Sequence, residues 1–213
     1  MRFKFRAGFC LGLLFIFQCA LTREKEVKPE KNLVLLQLPL QLVYKDICPV
    51  CGKEILPCQI EPEAGVDFAD ALEKIAQKYR INLIEIKPSC PEKDFDCLLK
   101  AGKEWAKRNR AEYILVPVLF CWQERKGTSF SASQPARVGF HLHFFSARNG
   151  EGLWQGEFLE EQVPLSENLL EIDKFIKRGG RWVTAQELAE EGLERIFQDF
   201  CKWREVNAGN SLN

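Results

Sequence analysis

Apolar and polar residues follow one another along this chain with the periods typical of an α/β protein. Two nearly continuous apolar runs, Leu33–Leu42 and Ala111–Trp122, predict strands that are buried on both faces, and the shorter run Ile81–Ile86 predicts a third strand. Apolar residues spaced three and four apart predict helices at Asp67–Tyr79 and Asp94–Arg108. The resulting order β-α-β-α-β favours a sheet whose first strands are parallel.

The second half of the chain predicts antiparallel strands followed by helices. Alternation of apolar and polar residues predicts two strands, and Asn149-Gly150 between them is a strong hairpin signal. Two helical segments follow, and Thr184-Ala-Gln-Glu187 predicts a capping box at the start of the second. These elements are the strands Arg137–Ser146 and Gly152–Glu161 and the helices Asn168–Lys177 and Thr184–Trp203. The predicted fold class is α/β (α+β), with a mixed sheet from β-α-β-α-β plus an antiparallel hairpin and with carboxyl-terminal helices.

One domain over residues 33–204 accommodates all of these elements. Residues 45–62 are dense in Cys and Pro and predict an insert after the first strand. Pro117 interrupts an otherwise apolar strand and predicts a bulge or an edge at that position. Residues 205–213 predict a frayed tail.

The amino terminus has the pattern of a bacterial secretory signal. Residues 1–6 carry three positive charges and no negative charge, and residues 7–21 are apolar except for Gln18. This run is short for a bilayer, whose hydrocarbon core of about 30 Å needs about 20 residues. We therefore predict an exported protein, with a signal at residues 1–19 and a charged tether at residues 20–32.

The signal can be processed in three ways. Ile16-Phe-Gln-Cys19 resembles a lipoprotein processing box, in which Cys19 receives the lipid. The alternatives are cleavage after Ala20, which releases a soluble protein, and retention of the segment as an uncleaved anchor. Lipid attachment at Cys19 is the favoured prediction, and it places the protein in the periplasm or at the outer membrane, held to the membrane by a lipid anchor.

Composition and charge exclude several classes of protein. A hydrophobic fraction of 46% and an aromatic fraction of 11% exclude a disordered chain. The 30 basic residues are balanced by 30 acidic ones, whereas a nucleic-acid-binding protein carries a basic excess. The sequence has a single apolar run that approaches the length of a membrane span, so a multi-pass membrane protein is excluded as well.

The most specific short motif is Cys48-Pro-Val-Cys51-Gly52. Two thiolates two residues apart, followed by glycine, match one half of a zinc knuckle. A tetrahedral site needs two more ligands, and Cys58 is a candidate for one of them, with Cys90 or Cys97 for the other. The sequence thus indicates Cys48, Cys51 and Cys58 as candidate metal ligands and zinc as the candidate cofactor.

Structural disulfides without any cofactor are the favoured interpretation of the same cysteines, because an exported protein folds in an oxidising compartment. Six cysteines allow many connectivities, so the sequence leaves the pairing open. The candidate disulfide cysteines are Cys48, Cys51, Cys58, Cys90, Cys97 and Cys121. A thiol-redox centre at Cys48 and Cys51 is a further alternative, although no helix opens directly after Cys48 as such centres require.

His141 and His143 alternate on one predicted strand and share a face, so the two rings can chelate a metal together. A polar outer face of a half-buried sheet explains them equally well, and no carboxylate lies beside them on that strand. The chain shows none of the common motifs of nucleophilic or metalloprotease catalysis. We therefore predict no catalytic residues and no enzymatic activity.

Two groups of residues carry a resemblance to known families. The run Ala111-Glu-Tyr-Ile-Leu-Val116 and the hairpin from Val138 through Asn149-Gly150 to Leu153-Trp154-Gln155-Gly156 resemble the α/β domain of bacterial envelope proteins such as the TolB amino-terminal domain and the curli-secretion lipoprotein CsgG. The segments 158–168 and 178–185 resemble uncharacterised envelope lipoproteins of deltaproteobacteria. The Cys-rich insert and Pro117 depart from the first class, and no long alternating segments are present to build a secretion barrel.

This resemblance implies an adaptor, an assembly component or an accessory lipoprotein of the cell envelope, without catalysis. The expected partners are other envelope proteins, and the expected contact surfaces are Cys48–Cys58 and Gln162–Trp182, which carry Pro, Gly and aromatic residues outside the regular elements. The alternative function is zinc binding or thiol-redox chemistry centred on Cys48 and Cys51.

Overall fold

The computed structural model describes residues 33–91, 94–162, 176 and 178–210. Its centre is a six-stranded mixed sheet, formed by the strands β1 (Leu33–Gln37), β2 (Gln41–Leu42), β3 (Ile81–Glu85), β4 (Tyr113–Gln123), β7 (Arg137–Ser146) and β8 (Gly152–Glu161). The order across the sheet is β3-β1-β4-β7-β8, with β2 also paired to β4. Strands β3 and β4 each run parallel to their neighbour β1, whereas β7 runs antiparallel to its two neighbours, β4 and β8. The predicted α/β fold with its mixed sheet and hairpin is confirmed.

The first apolar run forms two short strands rather than one. Strand β1 pairs with the start of β4, and β2 pairs with β4 again only at Val118 and Leu119. Pro117 lies in the gap between these two pairings, so its missing N–H leaves no bond unmade on that side. The irregularity predicted at Pro117 is therefore found in the neighbouring strand, as the break between β1 and β2. The register shift of β4 itself comes later, between Leu119 and Cys121.

In the described part of the chain, three helices cover the two faces of the sheet. They are α1 (Ala64–Lys78), α2 (Phe95–Asn109) and α3 (Ala185–Asn210). Helices α1 and α3 pack on one face with the aromatic side chains of β7 and β8 between them, whereas α2 covers part of the opposite face near β1 and the start of β4. A small hairpin, β5 (Lys126–Gly127) with β6 (Ala132–Gln134), forms between β4 and β7.

The ends of the helices follow their sequence signals in part. The predicted capping box is confirmed, because Glu187 N–H donates to Thr184 Oγ1 at 3.1 Å and Thr184 N–H donates to the Glu187 carboxylate at 2.9 Å. Asp94 caps α2 through the N–H of Cys97. Helix α3 continues to Asn210, so most of the segment predicted as a frayed tail at 205–213 is helical.

Several predictions fall on residues outside the described ranges. These are the signal at residues 1–19, lipid attachment at Cys19, the tether at residues 20–32 and, except for residue 176, the helix at Asn168–Lys177. Among the described residues, no helix is both long enough and apolar enough to cross a membrane.

Candidate metal centre

The Cys-rich insert forms a small hairpin that lies on the sheet. Cys48 N–H donates to Lys53 O at 2.9 Å, and Ile55 N–H donates to Asp46 O at 2.8 Å. Cys48 and Ile55 are buried and pack with Val118 and Phe120 of β4. The insert therefore lies on the same face of the sheet as α2 and covers the part of that face that α2 leaves open.

The turn of this hairpin closes at Gly52. Gly52 adopts φ +70°, a conformation that favours glycine, and its N–H donates to Cys48 O at 3.0 Å. The backbone N–H groups of Cys51 and Val50 act to lower the pKa of the Cys48 thiol, although burial outweighs them. N–H groups placed in this way favour the thiolate that a metal-bound cysteine requires.

The two histidines of β7 lie directly beneath the insert. His141 is in register with Val118 of β4 and His143 with Val116, so both rings point to the face that the insert covers. Their exposed fractions are 1% and 3%. The interpretation of these rings as a polar outer face is therefore wrong, because that face is buried.

Four donor atoms meet between the insert and β7. Cys48 Sγ lies 3.4 Å from His143 Nε2, and Cys51 Sγ lies 3.9 Å from His141 Nδ1. All four donor atoms lie within 4.8 Å of one another. In a tetrahedral zinc site with Zn–S of about 2.3 Å and Zn–N of about 2.0 Å, neighbouring donors are about 3.3–3.8 Å apart. The cluster thus needs only small side-chain movements to hold a zinc ion.

The protonation of the two histidines suits a metal. Burial lowers the pKa of His143 to about 4, with smaller contributions from His141 and Lys53. Burial also lowers the pKa of His141, while the nearby Glu157 carboxylate acts in the opposite direction. Both imidazoles are neutral at pH 7 and are therefore in the form that binds metals. Burial raises the pKa of the Cys48 thiol, partly offset by the N–H groups of Cys51 and Val50.

The remaining candidate cysteines are in disulfides. Cys58 is bonded to Cys121 and Cys90 to Cys97, whereas Cys48 and Cys51 are free thiols. This corrects the prediction of Cys58 as a metal ligand, because its sulfur is already bonded to Cys121. It also narrows the candidate disulfide set, from which Cys48 and Cys51 drop out.

The sequence shows each of the two ligand pairs of this centre, but no sequence pattern predicts that the two pairs meet. Cys-x-x-Cys and His-x-His each supply two ligands and each lack two. The separation of 90 residues between Cys51 and His141 hides their proximity until the strand order is known. Two incomplete ligand pairs in one domain are the signal that joins them.

The chain is similar to several solved structures but to no known family by sequence. No protein-family model matches the chain, and no curated protein sequence is significantly similar to it. Among solved structures, it is similar to a PelC dodecamer from Paraburkholderia phytofirmans, with 14% identity, 78% of this chain and 89% of that chain covered, and a TM-score of 0.44.

Two further solved structures are similar to the chain. One is a lipoprotein from Neisseria meningitidis, with 8% identity, 69% of this chain and 97% of that chain covered, and a TM-score of 0.36. The other is the LpoB C-terminal domain from Salmonella enterica, with 12% identity, 62% of this chain and 86% of that chain covered, and a TM-score of 0.35.

Proposed function

We propose that this protein is a zinc-binding, non-catalytic component of the bacterial cell envelope, in which a structural zinc ion closes the insert onto the sheet. The observation that carries the proposal is the meeting of Cys48, Cys51, His141 and His143, whose donor atoms lie within 4.8 Å of one another. Two thiolates and two imidazoles are a ligand set typical of structural zinc.

The ligand number argues for a structural rather than a catalytic metal. Catalytic zinc sites keep a position for water or substrate, whereas here four protein ligands complete a tetrahedron. The alternative of a thiol-redox centre fits less well. A reactive cysteine needs a lowered pKa, and burial raises the pKa of Cys48.

Export is supported by the cysteine chemistry. The Cys58–Cys121 and Cys90–Cys97 disulfides form readily in an oxidising compartment and are rare in the cytosol. Together with the secretory pattern of residues 1–21 and the lipid acceptor Cys19, they favour a protein of the periplasm or the outer membrane. The envelope resemblance of the sequence points the same way.

Metal analysis of the purified protein tests the zinc proposal. We expect one zinc per chain and, with Co²⁺ in its place, the visible absorption of a tetrahedral site with two thiolates. Cys48→Ser and His143→Gln should each lose at least about tenfold in zinc affinity, because either leaves three ligands. The Cys58→Ser/Cys121→Ser variant is the matched control and should keep one zinc. Absence of zinc binding by the wild-type protein would refute the proposal.

A second candidate function is adaptor binding through the insert, favoured by apolar side chains on its outer surface. Tyr44, next to the insert, and Ile47 and Leu56 within it are exposed by 67%, 57% and 64%, whereas Cys48 and Ile55 are buried. We expect crosslinking in envelope fractions to capture envelope proteins with the wild type and not with Tyr44→Ser/Ile47→Ser/Leu56→Ser. Phe130→Ser, an exposed aromatic on another loop, is the control. Equal capture by all three proteins would contradict this role.

A further inference from the structure

One polar atom beside the metal centre lacks a hydrogen bond. Nε2 of His141 is buried and has no hydrogen-bond partner within the described residues. The other ring nitrogen, Nδ1, faces Cys51 Sγ at 3.9 Å and is the atom that belongs to the donor cluster. When Nδ1 binds the metal, Nε2 carries the proton, since a neutral imidazole has only one N–H. A buried N–H without an acceptor is energetically unfavourable.

The neighbouring strand brings an acceptor to this atom. Glu157 of β8 is in register with His141 of β7, so the two side chains share a face of the sheet. Glu157 Oε2 lies 3.6 Å from His141 Nε2. Its side chain is half-exposed, and a movement of about 0.7 Å brings the two atoms to ordinary hydrogen-bond distance.

Among the described residues, the two rings that contact His141 offer no suitable acceptor. Phe120 meets the His141 ring edge-on with centroids 5.2 Å apart, and the His143 ring is 5.5 Å away and belongs to the donor cluster itself. Lys53 brings a positive charge near both rings. A carboxylate on the open side of His141 therefore balances this charge as well as accepting the proton.

We propose that Glu157 is a positioning residue of the metal centre, whose carboxylate accepts the hydrogen bond of the His141 Nε2–H and so keeps the Nδ1 lone pair directed at the metal. The inference rests on the proposed zinc function. Carboxylates placed in this way fix the tautomer and the orientation of the ring and make the imidazole a stronger ligand. Glu157 does not touch the metal, and its effect is transmitted through His141.

The chain offers three informative variants. Glu157→Ala removes the acceptor, and Glu157→Gln keeps an oxygen acceptor while removing the charge. Glu161→Gln is the matched control, because Glu161 lies on the same strand and the same face but pairs with Arg137. Zinc affinity is measured by competition with a chelator, and the tautomer of His141 is read from its ¹⁵N chemical shifts in the full-length protein.

The expected result is a graded loss of affinity. Glu157→Ala should bind zinc about 10- to 100-fold more weakly, with the stoichiometry unchanged and a mixed tautomer of His141 in the metal-free protein. Glu157→Gln should lose less, and Glu161→Gln should match the wild type. Wild-type affinity together with an unchanged tautomer in Glu157→Ala would overturn the inference. So would a lower unfolding temperature of that variant without any change in zinc affinity.

The experiment separates this inference from the function on which it rests. If the wild-type protein binds one zinc and Glu157→Ala binds it equally well, the role of Glu157 is refuted while the zinc site stands. If the wild-type protein binds no zinc, both fail together.

Discussion

At the scale of single residues, the centre depends on two imidazoles that stay neutral because they are buried. Burial holds the pKa of His143 at about 4, and the positive charge of Lys53 disfavours a further positive charge on either ring. A metal ion therefore displaces no proton from the histidines at pH 7, and the protons released on binding come from the thiols. The insert prepares the rings for the metal by covering them.

This burial predicts an acid-sensitive metal-free protein. The pKa of a histidine is 6.5 when it is exposed, as in the unfolded chain, and falls to about 4 at His143 in the fold. The unfolded state therefore binds more protons below pH 6.5, and the stability contributed above that pH is lost as the pH falls towards 4. The loss at this one residue is about 3 kcal/mol. Denaturation of chelator-treated protein at several pH values measures it.

His143→Gln is the control for that measurement. It cannot titrate, so its free energy of unfolding should fall less steeply between pH 6.5 and 4 than that of the wild-type protein. Equal slopes for both proteins would contradict the burial argument, since His141 and all carboxylates are the same in the two chains.

At the scale of elements, helix α3 lies unusually close to strand β8. A Cβ atom on Gly192 would be 2.5 Å from Cγ of Phe158 and 2.7 Å from its Cδ atoms. The aromatic ring of Phe158 is buried and packs against Phe140, with the Arg195 guanidinium 5.1 Å from the ring centroid, so it has little room to move. Glycine at this helix position therefore sets the distance between helix and sheet.

The close approach predicts opposite effects of the same substitution at two helical glycines. Gly192→Ala should lower the free energy of unfolding by about 1–3 kcal/mol, because the methyl group overlaps the Phe158 ring. Gly65→Ala in α1 should raise it by about 0.5 kcal/mol, since its nearest neighbour, Leu40 Cδ2, is 3.9 Å away and alanine favours the helix. Urea denaturation of both variants measures the difference. A stabilising Gly192→Ala would contradict this packing.

The elements that the sequence predicts well are those whose signal is local. Helix α2 begins one residue after Asp94, and the hairpin of β7 and β8 turns at Asn149-Gly150, because caps and turns are specified by a few adjacent residues. The break between β1 and β2 contains Pro39, which has no N–H to donate, and lies beside Pro117 of β4. The second proline becomes a neighbour only after the sheet has formed, so its part in the break has no local signal.

Half of the candidate site follows from a local sequence pattern. The spacing of Cys48 and Cys51 by itself indicates a metal site. Cys58 has the same residue type and a similar position in the chain, but its partner Cys121 lies 63 residues away on β4. No local pattern distinguishes a ligand from half of a disulfide. The fold makes this distinction, because the insert places Cys58 next to Cys121 of β4.

At the scale of the whole molecule, the insert takes the place of a helix. Helix α2 covers the sheet over Ile114 and Val116, and the insert continues this cover over Val118 and Phe120. A segment this short has little apolar surface of its own, so extra links offset its ordering entropy. The Cys58–Cys121 disulfide holds one end of it, and the four candidate metal ligands meet at its turn.

The two disulfides should differ in what they contribute. Cys58–Cys121 closes a separation of 63 residues, whereas Cys90–Cys97 closes one of 7. If disulfides act by restricting the unfolded chain, their contributions are about 4 and about 2 kcal/mol. Denaturation of the two double Cys→Ser variants, both loaded with zinc, compares them. A smaller loss for Cys58→Ser/Cys121→Ser than for Cys90→Ser/Cys97→Ser would contradict this account.

Removal of the metal should release the turn of the insert and leave the sheet intact. The N–H groups of Cys48 and Ile55 are bonded within the hairpin, and a bound zinc ion would link the turn of that hairpin to His141 and His143 of β7. After chelation, we expect hydrogen exchange over residues 46–55 to accelerate at least tenfold, which is about 1.4 kcal/mol of local opening free energy. The amides of β4 and β7 provide the internal reference, and Cys48→Ser in excess zinc should reproduce the acceleration. If exchange in the hairpin were the same with and without metal, the apolar contacts of Ile55 with β4 would suffice to hold the insert, and the zinc ion would have no structural role.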